Sequence, residues 1–351
     1  MQFALSEDQI AVRDMARDFT AEKNAPHAVR WDEEKHFPVD VMREAARLGI
    51  GGISIRDDVG GSALVSIHNV ACDTQRRKWL PRLCTVEPIA SYWLTEPNSG
   101  SDAAALRARA VRDDDRYVLN GQKQFISGAG VGDLYVAMVR TGGDDPGGIS
   151  MLVVESDTPG LSFGANERKM GRNAQPTRAV NFENARGPIE NRLGEEGIGF
   201  KIAMAGLDGG RINIAACSLG GAQSALDKAF AYMKGRKAFG KRLAEFQVLQ
   251  FRVAGVAIEL KAARTFVWRA AAAPHREEAD ASILCAMAKR LGTDVGFEVA
   301  NQVLQHHGGY GYLSECGIEK IVRHLRVHRI LEETNEIMRL IVARKMIEGG
   351  R

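Results

Sequence analysis

The sequence predicts an α+β protein in three successive parts: a helical N-terminal domain over residues 1–90, a β-barrel or sandwich over 91–196, and a C-terminal four-helix bundle over 197–351. Three observations carry this. Apolar residues recur at helical spacing near both ends of the chain. The middle instead holds short runs rich in β-branched and aromatic residues, at 117–119, 134–139, 149–154 and 179–182. Helices and strands are also segregated rather than alternating, which argues against a βαβ nucleotide-binding fold.

Each element has its own signal. Ser6-Glu7-Asp8-Gln9 reads as a capping box, with Ile10, Val12, Met15, Ala16 and Phe19 as the apolar stripe behind it. A second helix is predicted over 38–48, closed by Gly49. Asn120-Gly121 and Gly142-Gly143-Asp144-Asp145-Pro146 read as turns punctuating the strands. Long apolar-periodic segments near 198–232, 243–273, 280–305 and 334–347 supply the four helices of the bundle.

Composition narrows the class. With 351 residues, 45% hydrophobic and 26% charged, the chain can bury a large core. A net charge of +3, from 47 basic and 44 acidic residues, is too balanced to imply nucleic acid or membrane as partner. Cys72, Cys84, Cys217, Cys285 and Cys316 are scattered and free of CxxC spacing, so buried free thiols are expected, with no disulfide framework and no metal. No apolar run is long enough for a bilayer, and the chain begins without a leader pattern, so a bacterial cytoplasmic protein is expected.

Five unusual segments occur in a set order: Tyr92-Trp93-Leu94-Thr95-Glu96-Pro97-Asn98-Ser99-Gly100-Ser101-Asp102, Lys123-Gln124-Phe125-Ile126-Ser127-Gly128, Arg236-Lys237-Ala238-Phe239-Gly240, Gln305-His306-His307-Gly308-Gly309-Tyr310-Gly311-Tyr312, and Leu331-Glu332-Glu333-Thr334-Asn335-Glu336. Singly, each has a plain structural explanation: a polar turn, a core aromatic at Phe125, a solvated basic run around Arg236, a glycine turn, and helix-capping glutamates. As an ordered set they resemble the acyl-CoA dehydrogenase family of flavoproteins over essentially the whole chain.

The resemblance implies FAD-dependent α,β-dehydrogenation of an acyl-CoA, with a short branched acyl group such as isobutyryl expected, as in valine breakdown. Such chemistry needs a base, a hydride acceptor and donors to the thioester oxygen. Glu332 is the implied base. Tyr92, Leu94, Thr95, Gly100, Ser101, Phe125, Ile126 and Ser127 are implied flavin contacts. Arg236, Phe239 and Gln247 are implied to meet the adenine dinucleotide half from a neighbouring subunit, and Gln305, Gly308 and Gly309 its pyrophosphate. Thr334, Asn335 and Glu336 complete the cofactor set. Ser101, the Asp208-Gly209-Gly210-Arg211 turn, Glu333 and Arg344 are the implied acyl-CoA contacts. An electron-transferring flavoprotein is the implied electron acceptor, and a homotetramer the implied assembly.

Three departures from the family pattern stand out. Glu333 occupies a position where relatives usually carry glycine, and Phe246 one where they often carry histidine. Between Gly61 and Gln75 the chain is also short by something on the order of one long helix plus a turn. Two further readings stay open here: a butyryl- or 2-methylbutyryl-CoA dehydrogenase, and a catalytically impaired flavin-binding scaffold. His306, His307, His324 and His328 lack metal-ligand spacing and are read as structural or solvent-facing.

Overall fold

The computed structural model of the chain describes residues 5–50 and 62–349; the predicted shortening after Gly61 begins outside the described residues. The N-terminal helices are α1 (Glu7–Phe19), α2 (Ala28–Glu34), α3 (Val39–Arg47), α4 (Ser62–Val70) and α5 (Asp73–Cys84). The capping box forms as predicted, with Ser6 N donating to Gln9 Oε1 at 3.0 Å and Gln9 N to Ser6 Oγ at 3.2 Å. No residue of α1 is buried, so its apolar stripe does not become core. Helix α3 closes on Gly49 at φ +86.

Eight strands form one sheet: β1 (Ala90–Trp93), β2 (Arg109–Asp113), β3 (Arg116–Ser127), β4 (Leu134–Arg140), β5 (Ile149–Glu155), β6 (Leu161–Phe163), β7 (Thr177–Pro188) and β8 (Arg192–Leu193). Their order is β6-β7-β3-β2-β4-β5-β8, with β1 parallel to β4. Strand β4 is buried along its whole length, and the two-residue period divides its side chains. Leu134, Val136 and Met138 join Ile67, Trp79 and Leu83 in one cluster, while Tyr135, Ala137 and Val139 join Trp93 and Phe182 in another. Helix α5 is tied to this layer by Gln75, whose amide donates to the carbonyls of Glu190 (2.7 Å) and Arg192 (2.8 Å).

Asn120-Gly121 is not a turn. The chain runs straight through it inside β3, opposite a bulge in β7. The Asn120 amide exchanges two hydrogen bonds with Asn184, at 3.1 and 2.9 Å, which satisfies the bulge. Gly121, at φ +136, lies where a Cβ would come within 2.7 Å of the Ala108 Cα, so the glycine serves a close approach. The true β2–β3 turn is Asp114-Asp115, with Asp114 at φ +52.

The C-terminal helices are α6 (Gly199–Gly235), α7 (Gln247–His275), α8 (Ala281–His306), α9 (Gly309–Tyr312), α10 (Ile318–Arg326) and α11 (Asn335–Ile347). Their core is built by α6, α7, α8 and α10, with α10 supplying Ile318 and Leu325. The fourth core helix is therefore α10, which sequence periodicity missed because it is only nine residues long; α11 lies against α8. Asp208-Gly209-Gly210-Arg211 is likewise not a turn but an interior stretch of α6. Ala203, Leu207, Arg211, Ala215 and Leu219 stay buried at helical spacing across it, and that burial outweighs the roughly 1 kcal/mol each glycine costs a helix.

By contact density the chain forms two compact units. One comprises the described residues within 12–169 and 173–210, so α2 to α5 and most of α1 belong with the sheet; the other comprises those within 1–11, 170–172 and 211–351. All five cysteines are free, but only Cys285 is buried, and Cys72 and Cys217 are exposed, contrary to expectation.

Candidate active site

In the sheet-bearing unit, the polar loop after β1 is organised by one carboxylate. Glu96 accepts hydrogen bonds from the backbone N–H groups of Arg107 (2.6 Å) and Ala108 (3.0 Å), and from Lys123 Nζ at 2.8 Å. Lys123 is 0% exposed and donates a further bond to the Leu94 carbonyl at 3.1 Å. Burial pulls its pKa down to about 8 against the attraction of Glu96. Gln124 N donates to the Thr95 carbonyl at 2.9 Å, so the end of β1 and the end of β3 lie side by side.

That juxtaposition gathers most of the sequence-predicted flavin contacts of this unit. Tyr92, Leu94 and Thr95 are half-buried, and Gly100, Ser101 and Ser127 are exposed. Phe125 sits in a β3 bulge at φ +58 that turns its ring outward, leaving it 64% exposed. It is therefore not a core aromatic. Ile126 is the exception among these residues, because its side chain is buried in the sheet core and only its backbone can meet a ligand. The Glu96–Lys123 brace behind the loop was not foreseen as a pair.

In the other unit, Glu332 and Glu333 form the segment between α10 and α11, at φ +52 and +67. The Glu332 Oε2 atom is buried and has no hydrogen-bond partner. Desolvation raises its pKa; Lys289, Arg211 and Arg172 pull it down, and Glu333 pushes it further up. Glu333 pairs with Arg211, whose Nε donates to Oε2 at 3.1 Å and whose Nη2 donates to the same atom. Lys289 Nζ donates to the Glu333 carbonyl at 2.5 Å and to Asn335 Oδ1 at 2.9 Å. Burial lowers the Lys289 pKa to about 8 against the pull of the nearby acids.

Several predicted contacts change meaning here. Asn335 is buried, and its amide is spent on Lys289, Thr293 and Asp294. It anchors the loop and offers no side-chain atom to a cofactor. Thr334 caps α11 by accepting from Ile337 N at 3.4 Å. Glu336 faces solvent and pairs with Arg339. Arg344 is exposed near the far end of α11, away from the Glu332–Glu333 cluster. Lys289 and Arg172, which carry the local electrostatics, were missed. Their sequence neighbourhoods hold no motif, and only the fold brings them to Glu332.

The same unit holds a pocket of about 670 Å³ lined by Tyr232, Arg236, Leu243, residues 305–310 and Leu313. The Arg236 guanidinium lies 5.4 Å from the Tyr310 ring centre. Gly308, at φ +57 and ψ −137, takes a conformation essentially reserved for glycine. An added Cβ there would meet nothing within 4 Å, so the backbone is open to a ligand on that side, although the Gly308 N–H itself donates to the Gln305 carbonyl at 3.1 Å. Both ring nitrogens of the buried His306 lack partners. His307 is structural, stacked on Tyr232 and bonded through Nδ1 to the Val303 carbonyl at 2.9 Å. An arginine, open glycine backbone and orphaned polar atoms around one hollow fit an anionic dinucleotide. Phe239, 96% exposed, and the exposed Gln247 line no wall of this pocket.

Comparison with known proteins accords with this geometry. The signatures "Acyl-CoA dehydrogenase, N-terminal domain", "middle domain" and "C-terminal domain" match residues 6–72, 91–185 and 197–347. The chain is 48% identical to mitochondrial isobutyryl-CoA dehydrogenase of Bos taurus over 374 aligned positions, covering 98% of this chain and 90% of that protein. It is 49% identical to the enzyme of the same name from Dictyostelium discoideum, over 97% of this chain and 90% of that one. The bovine alignment is longer than this chain of 351 residues, so that relative carries segments lacking here. A chain in the structure of the electron transferring flavoprotein of Acidaminococcus fermentans superposes with a TM-score of 0.94 at 34% identity, covering 99% of this chain and 100% of that one. The chain belongs to the acyl-CoA dehydrogenase family, the flavoprotein oxidoreductases that act on acyl-CoA with FAD as cofactor.

Proposed function

We propose that this chain converts isobutyryl-CoA to methacrylyl-CoA, with Glu332 as the base that removes the α-proton. The observation that most supports this is the buried Glu332 Oε2 atom left without a partner in a loop held by Arg211 and Lys289. An unsatisfied buried polar group costs about 1–3 kcal/mol, a cost that recurs where a group must react. The raised pKa makes Glu332 a stronger base than an exposed glutamate, and the three nearby cations restrain that rise.

Bound FAD supplies the hydride-accepting chemistry that no side chain offers. Tyr92, Leu94, Thr95, Gly100, Ser101, Phe125 and Ser127 would hold the flavin ring. Arg236, Gln305, Gly308 and Gly309 would take the pyrophosphate of a cofactor bound to a neighbouring copy in a homotetramer, with Phe239 and Gln247 beside it. The acyl group is assigned from the 48% and 49% identities to two isobutyryl-CoA dehydrogenases. An electron-transferring flavoprotein is the proposed acceptor. No helix among the described residues is long and apolar enough to cross a membrane, and we assign the enzyme to the bacterial cytoplasm.

An anaerobic titration with isobutyryl-CoA, followed by flavin absorbance, tests the reading. Bleaching is expected in the wild type and should fall in rate by about 10²–10⁴-fold in Glu332→Gln, the loss of a general base. A flavin that no short acyl-CoA bleaches, or bleaching undiminished in Glu332→Gln, would remove the assignment.

A further inference from the structure

The turn holding Glu332 and Glu333 places two successive non-glycine residues at positive φ, a conformation that glycine alone adopts without strain. A glutamate at 333 therefore needs compensation from elsewhere. Its carboxylate is paired with Arg211, which is 3% exposed and donates from both Nε and Nη2. Its carbonyl accepts from Lys289 Nζ. The residue is thus pinned by its side chain to α6 and by its backbone to α8. The neighbouring Glu332 Oε2 has no partner, although Arg211 holds the carboxylate of the very next residue and its charge favours ionised Glu332. A guanidinium is a forked donor that pairs with whichever carboxylate is offered.

We propose that Glu333 is a positioning residue for the base: by engaging Arg211 it keeps the guanidinium from pairing with Glu332, and so holds the Glu332 Oε2 atom without a partner within the left-handed turn. This rests on the reading of Glu332 as the base, and it assigns a purpose to the glutamate at this position. The charged groups facing Glu332 are Lys289 from α8, Arg211 from α6, Arg172 from the Met170–Arg172 segment, and Glu333 itself. Without the Glu333 charge, three cations face Glu332 with no second anion among them, and the Arg211 guanidinium loses its two bonds to Glu333. Both changes favour ionised Glu332.

The test is an infrared pH titration of the flavin-loaded protein without acyl-CoA, following the carboxylic-acid band that vanishes in Glu332→Gln. In Glu333→Gly the midpoint of that band should fall by about one pH unit or more. In Glu333→Gln the fall should be smaller, because the amide oxygen still accepts from Arg211. Unmoved midpoints in both variants would overturn the proposal, as would a loss of thermal stability with the midpoint unchanged, which marks a purely structural role. Because no substrate is present, the result stands apart from the assignment of the base, which fails instead if Glu332→Gln still bleaches.

Discussion

Glu96–Lys123 is a buried pair of a carboxylate with a cation and Arg211–Glu333 a part-buried one, and their surroundings differ. Around Glu96 both carboxylate oxygens are engaged: two backbone N–H groups and an ammonium converge on them, and Lys123 spends another proton on the Leu94 carbonyl. Around Glu333 the pair is made, but the adjacent Glu332 Oε2 is left without a partner in a strained turn. A buried carboxylate with both oxygens hydrogen-bonded braces a loop. One left short holds reactive capacity in reserve. Stability and chemistry should therefore separate along this line.

The largest effect is expected at the buried Glu96–Lys123 pair. Lys123→Met strands the Glu96 carboxylate in the interior, and breaking one partner of a buried pair costs about 3–5 kcal/mol. Guanidinium unfolding of the two proteins measures it. A loss below about 1 kcal/mol would mean that water or a rotamer change rescues Glu96, and the contrast between the two pairs would collapse.

The next effect concerns pH. His328 is buried beside the Glu332 loop, 2.7 Å from Ser218 Oγ, and burial with nearby Arg172, His324 and Lys289 drives its pKa down to about 3. An unfolded histidine titrates near 6.5. Between those values the unfolded chain binds the extra proton, so acid weakens the native state as pH falls from about 6.5 towards about 3. Glu332 has the opposite sign: its raised pKa adds stability that is complete below the unfolded value and lost as pH rises through the folded one. In His328→Gln the histidine contribution disappears, and the acid slope of stability should flatten by up to about 1.4 kcal/mol per pH unit. Urea unfolding at several pH values reads this. Parallel slopes would show that the Glu332 region is no more acid-sensitive than the sheet.

Much of this architecture was legible in the residues. The period of two in 134–139 divided itself between two cores, and the helical period located α6, α7, α8 and α11. Local dipeptide signals misled where long-range packing prevailed. Asn120-Gly121 is absorbed by a bulge paired with Asn184, and Gly209-Gly210 is carried inside α6 by the buried residues around it. The electrostatics of Glu332 were illegible for a different reason. Arg211 and Lys289 lie 122 and 44 residues from Glu333 in sequence, and no spacing rule connects them. The resemblance pointed to Glu332, but what surrounds it emerges only once the helices are packed.

The smallest stability effect sharpens the same contrast. Phe125 is a large aromatic at positive φ with most of its ring in solvent, in a strand whose Tyr117, Leu119 and Ile126 are buried. A ring that packs against little contributes little, so Phe125→Ala should change unfolding free energy by no more than about 0.5 kcal/mol. A bulge that turns an aromatic outward is the kind of local feature sheets use to aim a side chain. If that aim is at the flavin, Phe125→Ala should weaken FAD binding several-fold, read by cofactor release on dilution, while the apoprotein melts as before. A melting point that drops together with cofactor affinity would put Phe125 with Lys123 among the braces. An affinity left unchanged would remove it from the cofactor site.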